Sequence, residues 1–230
     1  MPSRKIPLIT QGIYHIFNRS VAGQTIFRNI REYQIFLDLL EYYSFTHAKH
    51  RFSHYRRLED ETKKQTLNKL YQQSDKLVDI YSFCIMPNHY HLLLKQLTDD
   101  GISKFIRQIQ NSYARYINIK TQRNGALLQS PFKSVLIEND EQFIHVARYI
   151  HLNPLTSYIL TNQSELANLE WCSYKDYCSA NSRGFVNTSN LMSYYNSIDE
   201  LNKFTLNQVD YQRALAKIKH LTLEKSFPNP

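Results

Sequence analysis

Two histidines separated by one residue, His89 and His91, are the side chains whose spacing most directly suggests chemistry. They stand in the run HYHLLLKQ, which is typical of a β-strand. Side chains alternate between the two faces of a strand, so both imidazoles would project from one face and could share a metal ion. Neutral imidazole is a common ligand of transition metals and a weaker partner of Mg²⁺ in mixed sites. Because a three-residue motif recurs by accident, two partly exposed histidines without a ligand fit the same pattern.

A second set of polar side chains lies on one stripe of a predicted helix that ends near Pro154. At about 100° per residue, Gln142, His145, Tyr149 and Asn153 fall on the same side of this helix. Tyr149 and Asn153 are one turn apart, so a hydroxyl and an amide oxygen could face the same ion. The alternative is an amphipathic helix with a half-buried tyrosine, in which Asn153 serves the helix end before the proline.

A third pattern is a polar, mostly basic stripe on the long helix that the sequence predicts from Ser103 to about Lys120. Its members follow at steps of three and four residues: Lys104, Arg107, Asn111, Arg115 and Asn118. Tyr113 and Tyr116 are nearby, and basic side chains that grip phosphates beside aromatic rings suit single-stranded nucleic acid. A solvated helix face gives the same pattern.

Composition narrows the possible partners. The 230 residues carry a net charge of +8 and a pI near 9.3, which favours a polyanionic partner. The chain has five glycines and neither GxGxxG nor GxxxxGK[ST], so a nucleotide triphosphate is not expected as a ligand. Three cysteines without CxxC indicate neither a disulfide framework nor a zinc site. No apolar run reaches the length of a membrane span and no signal peptide is recognised, so we expect a cytoplasmic protein.

The elements that must position these residues are predicted in the order β-α-β-β-α-β, followed by a helix. The segments are a strand over 12–19, a helix over 30–44, a hairpin of strands over 78–86 and 89–96, a helix over 103–120, a strand over 133–138 and a helix from Asn139 or Asp140 to Asn153. This order predicts an α+β fold with a ferredoxin-like, RRM-like antiparallel sheet. Residues 47–78 are interpreted as a polar insertion with a modest surface helix. A further helix is expected from about Thr205 to His220.

Three motifs in this order resemble one family. MPNHYHLLL at 86–94, GALLQSPFKS at 125–134 and RYIHLNPL at 148–155 resemble the REP-associated tyrosine transposases, which are single-tyrosine HUH endonucleases. WCSYKDY at 171–177 resembles the stretch that closes their domain. The resemblance spans roughly residues 12–177 and implies an HUH domain over 1–178, with an accessory helical region over 179–230.

The resemblance assigns roles to the residues already singled out. His89 and His91 match the metal ligands, with Tyr90 in the hydrophobic position between them. Tyr149 matches the nucleophile, and Asn153 stands where a polar residue completes the metal site. Mg²⁺ or Mn²⁺ suits repeated phosphate exchange better than tightly held Zn²⁺. We expect Lys133, in the second motif, to contact DNA together with Lys104, Arg107, Asn111 and Arg115.

The activity that the resemblance implies is cleavage and rejoining of single-stranded DNA beside a hairpin, through a 5′-phosphotyrosine and without ATP. A domesticated module that binds hairpin DNA or RNA without cutting it is the main alternative. A hydrolytic phosphodiesterase that uses the same metal is a third. The protein would act as a monomer or as a homodimer, with Tyr149 used in its own site or in that of a second copy.

Overall fold

The computed structural model describes residues 7–48 and 50–209 and contains a four-stranded antiparallel sheet. The strands are β1 (Ile13–Arg19), β2 (Val78–Met86), β3 (His89–Gln96) and β4 (Lys133–Ile137). They lie in the order β2-β3-β1-β4, and β2 and β3 form the predicted hairpin. The expected α+β, ferredoxin-like architecture is therefore confirmed.

Helices lie between the strands along the chain and after the last one, and several of them pack on the sheet. They are α1 (Ile30–Tyr43), α2 (Phe52–Tyr55), α3 (Asp60–Gln73), α4 (Gly101–Lys120), α5 (Asp140–Thr156), α6 (Tyr174–Cys178), α7 (Thr188–Met192) and α8 (Ile198–Leu206). Short 3₁₀ turns lie at Val21–Gly23 and Gln163–Asn168. α4 begins at Gly101 rather than at the predicted Ser103.

Alternation along β3 assigns the helices to opposite faces of the sheet. The ring of Tyr90 lies 5.2 Å from that of Phe36 on α1, and its hydroxyl accepts a hydrogen bond of 2.7 Å from Gln110 on α4. His89 and His91 flank Tyr90 and therefore project from the other face, on which α5 packs against β2 and β3. The sheet thus separates α1 and α4 from α5.

The helix α5 begins as predicted but does not end as predicted. Its N-cap is Asn139, whose side chain accepts a hydrogen bond from the backbone of the first turn. The expectation that Pro154 stops the helix at Asn153 is wrong, because the helix runs through the proline to Thr156. The side chain of Asn153 supplies hydrogen-bond donors to the helix backbone at this point.

The polar insertion at 47–78 is partly built into the protein. α3 is the surface helix that the sequence predicts, with Leu70 as its buried residue. α2 was not predicted, and its Phe52 and Tyr55 are buried. The Tyr55 ring stacks on Tyr42 of α1 with centroids 4.4 Å apart. The first part of the insertion is therefore docked on the outer side of α1.

The chain beyond Trp171 packs against β2. Residue Val186 forms a parallel bridge with Ile80, and Phe185 is also buried in the core. The helix predicted from Thr205 to His220 overlaps the end of α8, and its residues from 210 onward lie outside the described residues. The domain boundary after residue 178 stays a prediction.

Candidate active site

Three histidine rings meet on the face of the sheet that α5 covers. Those of His89 and His91 lie with centroids 5.1 Å apart, on the same face as predicted. His15 of β1 joins them, with its Nε2 atom 2.9 Å from Nδ1 of His91. Phe17 is the residue directly opposite His91 in the register, so His15 approaches His91 diagonally. His15 was not predicted as a site residue, although its alternate position in a predicted strand was a signal.

Burial keeps these histidines neutral. It lowers the pKa of His15 and of His89 to about 4, and the nearby Arg19 guanidinium adds to the effect at His89. Burial also lowers the pKa of His91 well below its ordinary value, with further contributions from His15 and His89. Near pH 7 each imidazole therefore has a nitrogen lone pair available for a ligand or a hydrogen bond.

Hydrogen bonds at Nδ1 favour coordination through the opposite ring nitrogen. The Nδ1 atom of His89 lies 2.6 Å from the amide oxygen of Asn88, to which it donates in the neutral ring, so its lone pair is on Nε2. The Nδ1 atom of His91 is engaged with Nε2 of His15, and in the tautomer in which His91 Nδ1 donates this bond the lone pair of His91 is on Nε2, where a ligand can bind. Such bonds on the distal nitrogen orient metal-binding histidines. The chemistry of this donor set fits a divalent ion held by two imidazoles and oxygen ligands.

Tyr149 of α5 lies over the histidines. Its ring centroid is 5.5 Å from that of His91 and 5.9 Å from that of His15, with the rings nearly perpendicular. The side chain is 36% exposed, so its hydroxyl-bearing ring is half-buried yet open to solvent. Burial raises the pKa of Tyr149, the Cys84 thiol adds to this, and the Asn153 amide opposes it. The ring of Tyr149 therefore lies beside that of His91, although the two residues are distant in the sequence.

Asn153 is buried one turn after Tyr149 and is bonded to the helix backbone. Its amide nitrogen donates to the carbonyl oxygen of Tyr149 at 2.8 Å and to that of Ile150 at 3.4 Å. Pro154 has no N–H, so the Ile150 carbonyl lacks its usual partner four residues on. The Asn153 amide hydrogens substitute for it, and the carbonyl oxygen is the atom left for a ligand.

The predicted basic stripe lies away from this pocket. Lys104, Arg107, Asn111 and Arg115 are all exposed, along the outer side of α4. Because α4 and α5 lie on opposite faces of the sheet, these four side chains are not close to the histidines. A DNA strand that contacted both would have to pass around an edge of the sheet.

Lys133, in contrast, lies on the same face of the sheet as the histidines. It pairs with Phe17 on β1, and Phe17 pairs with His91 on β3, so the three residues form one row across the sheet. Directly opposed residues share a face, and strands are about 4.8 Å apart, which puts Lys133 roughly 10 Å from His91. Its side chain is exposed on the edge strand. It can therefore meet a phosphate beside the site.

Comparison with known proteins agrees with the three sequence motifs. Residues 40–153 match the family described as IS200-like transposases, and this range contains both histidines of the HxH motif, Tyr149 and Asn153. No curated protein matches the chain. The resemblance to the REP-associated tyrosine transposases is confirmed.

Solved structures resemble this fold. One is described as a REP-associated tyrosine transposase bound to a REP hairpin, with a TM-score of 0.52 and 14% sequence identity. The match covers 82% of this chain and 90% of that one. At this identity the likeness supports the fold.

Among the described residues, no helix is long and apolar enough to cross a membrane.

Proposed function

Residues 40–153 match the IS200-like transposases, and on that premise we propose that this chain is a metal-dependent single-stranded DNA endonuclease and strand transferase. It would act near DNA hairpins through a covalent 5′-phosphotyrosine. The observation that carries this proposal is the juxtaposition of Tyr149 with the His91 ring, at a centroid distance of 5.5 Å. A tyrosine hydroxyl beside two neutral imidazoles is an arrangement that can support metal-assisted phosphoryl transfer.

His89, His91 and the carbonyl oxygen of Asn153 are the residues that would hold Mg²⁺ or Mn²⁺. When bound, the ion polarises the scissile phosphate and offsets charge in the transition state. His15 fixes the His91 ring through the hydrogen bond of 2.9 Å at Nδ1. Lys133 would bind a neighbouring phosphate, and this contact would position the DNA strand across β1 and β4 at the edge of the sheet.

Tyr149 would form the covalent link. Its phenol loses a proton as the oxygen bonds to phosphorus, and the bond from phosphorus to the 3′ oxygen breaks. That oxygen takes up a proton and leaves as a 3′-hydroxyl, while the 5′ side stays on the tyrosine. Because the phosphodiester energy is retained, a second 3′-hydroxyl can reverse the reaction. Burial raises the pKa of Tyr149, so phenolate must be stabilised when it forms.

The proposal is tested by incubating the protein with hairpin-bearing single-stranded DNA and Mn²⁺ and resolving the products on a denaturing gel. We expect a protein–DNA adduct that Tyr149→Phe abolishes while DNA binding is retained. Tyr194→Phe is the matched control, because Tyr194 is 38% exposed against 36% for Tyr149. An adduct that survives Tyr149→Phe would show that another residue is the nucleophile.

Binding of a hairpin without cleavage is the second candidate. It is favoured by one observation: across the described part of the chain, no group of three or more histidine, cysteine, aspartate or glutamate side chains could by itself hold a metal. Because His15 is engaged with His91, two imidazoles are left as ligands. Hairpin binding that EDTA leaves unchanged, with no product on any hairpin, would support this alternative. Release of cut DNA without an adduct would instead indicate a hydrolytic phosphodiesterase.

A further inference from the structure

A groove of about 690 Å³ lies on the side of the sheet remote from Tyr149, between α1, α4 and the docked segment α2. Its size is that of pockets that hold small organic ligands. One wall belongs to residues 50–56 of the insertion, and the other to the C-terminal half of α4. The basic stripe of α4 reaches this groove through Asn111 and Arg115.

The charge of the groove is entirely positive. Four basic side chains line it, Arg51 and Arg56 from the insertion and Arg115 and Lys120 from α4, and no carboxylate does. Lys120 donates a hydrogen bond of 2.8 Å to the buried carboxylate of Glu32, so its charge is compensated. The three arginines remain as the groups that can bind an anion, and the guanidinium of Arg56 lies 5.4 Å from the centroid of the Tyr116 ring. Arginine is the side chain best suited to phosphate oxygens.

The floor of the groove is aromatic and apolar. Phe52, Tyr43 and Tyr116 line it together with Ile35 and Ile119. Phe52, Tyr43 and Ile35 are buried, so the accessible surface of the floor belongs to Tyr116 and Ile119. A free inorganic anion would make no favourable contact with this apolar floor. The bases of a paired duplex are stacked on one another, so their faces could not contact it either. An unpaired nucleotide has both a phosphate for the arginines and a flat base for the rings.

A second hollow extends the positive surface toward the sheet edge. It has a volume of about 680 Å³ and shares Arg115 and Ile119 with the groove. Arg123 of the loop after α4 lines it as well, again without a carboxylate. Beyond this loop, Leu128 bridges to Ser20 at the end of β1. The positive surface therefore leads from the groove toward the strand that carries His15.

We propose that this groove binds an unpaired nucleotide of single-stranded DNA, with its phosphate on Arg51, Arg56 and Arg115 and its base against Tyr116 and Ile119. The inference deepens the proposed function, because the nucleotide would belong to the strand that Tyr149 cuts. The groove is a recognition site and takes no part in the chemistry. It also gives a role to the docked part of the polar insertion.

The test measures DNA binding without metal, so that cleavage does not enter. The variants are the double substitution Arg51→Gln with Arg56→Gln and, as the matched control, Arg57→Gln, an exposed arginine of the same segment that does not line the groove. The probes are a hairpin with a single-stranded flank, the hairpin alone, and a flanked hairpin with 2-aminopurine in the flank. Fluorescence anisotropy at several salt concentrations gives the affinity and its salt dependence.

For the flanked hairpin we expect the double variant to bind about tenfold more weakly near 0.15 M salt, since two lost phosphate contacts reduce the slope of log K against log salt by roughly 1.4. Arg57→Gln and the hairpin alone should show no such change. The 2-aminopurine fluorescence should be quenched by the native protein and less by the double variant. Unchanged affinity for the flanked probe, or an equal loss for the hairpin alone, would overturn the inference.

Failure of the groove and failure of the proposed function are separable. Adduct formation with Mn²⁺ depends on Tyr149 and is scored on the same proteins. If the double variant binds normally while the native protein forms the adduct, the groove assignment is wrong and the nuclease stands. If binding of the single-stranded flank depends on the arginines while no adduct forms on any DNA, the assignment of the groove is supported and the proposed nuclease function is wrong.

Discussion

Replacing Asn153 by alanine removes the amide that substitutes for the missing N–H of Pro154. In the native helix this amide donates to the carbonyl oxygens of Tyr149 and Ile150 at 2.8 and 3.4 Å. Ile150 is fully buried, so without the amide its carbonyl oxygen has no donor and no water. Replacing Pro154 by alanine as well restores a backbone N–H at the position that normally serves this carbonyl.

The magnitude follows from the cost of an unsatisfied buried acceptor, about 1–3 kcal/mol. The 3.4 Å bond to Ile150 is long, so Asn153→Ala should lower the free energy of unfolding by about 1.5 kcal/mol. In the Pro154→Ala background the same substitution should cost less than about 0.5 kcal/mol. The coupling between the two positions is then about 1 kcal/mol.

Urea unfolding followed by far-ultraviolet circular dichroism measures all four proteins of the cycle. Asn111→Ala, at an exposed position of α4, is the control and should leave the stability within about 0.5 kcal/mol. Equal losses from Asn153→Ala in both backgrounds would refute the compensation argument. The helix would then cross Pro154 for another reason.

Four further outcomes are expected. His15→Phe should weaken Mn²⁺ binding by about tenfold, as loss of a bond that orients a ligand does, and unchanged binding in calorimetry would contradict the role of the 2.9 Å contact. The pKa values of His15 and His151 are lowered by burial to about 4 and about 3, so the unfolded chain takes up these protons first as the pH falls. Their stabilising contribution is complete above pH 6.5 and is lost as the pH falls toward 4 for His15, where it amounts to about 3 kcal/mol, and toward 3 for His151. Urea unfolding should therefore give a lower stability at pH 5 than at pH 7, whereas equal stabilities would contradict this. Lys133→Gln should reduce the salt slope of single-stranded DNA binding by roughly 0.7, and an unchanged slope would place the phosphate elsewhere. Phe52→Ala should cost about 3 kcal/mol of unfolding free energy in a denaturant titration, whereas a loss below about 1 kcal/mol would mean that the insertion is not docked.

The sheet and its helices could be predicted because local periodicity determines them. In the run HYHLLLKQ, successive side chains lie on opposite faces of a strand, which predicted that His89 and His91 share a face of β3. The pair Pro87-Asn88 predicted the turn of the hairpin. The end of α5 could not be predicted in this way. The rule that proline stops a helix takes no account of the preceding Asn153 side chain, which here replaces the lost donor.

The residues of the candidate site that belong to local motifs could be predicted, but the residue that joins them through strand pairing could not. His89, His91, Tyr149 and Asn153 carry local motifs, whereas His15 enters through the register of β1 against β3, which depends on pairing between distant segments. The position of the basic stripe on the far side of the sheet could not be predicted either, because the spacing of residues along a helix does not determine which face of a sheet the helix covers. The arginine groove depends on docking of the insertion on α1 and is likewise a tertiary property.

The most direct test of the central claim is to map the covalent bond itself. The protein is incubated with hairpin-bearing single-stranded DNA and Mn²⁺, the adduct is isolated under denaturing conditions, and its peptides are sequenced by mass spectrometry. We expect a nucleotide linked through a 5′ phosphate to Tyr149, within the segment RYIHLNPL, and a free 3′-hydroxyl on the released strand. A phosphate on any other residue, or cut DNA without a protein-linked nucleotide, would contradict the assignment of Tyr149 as the nucleophile.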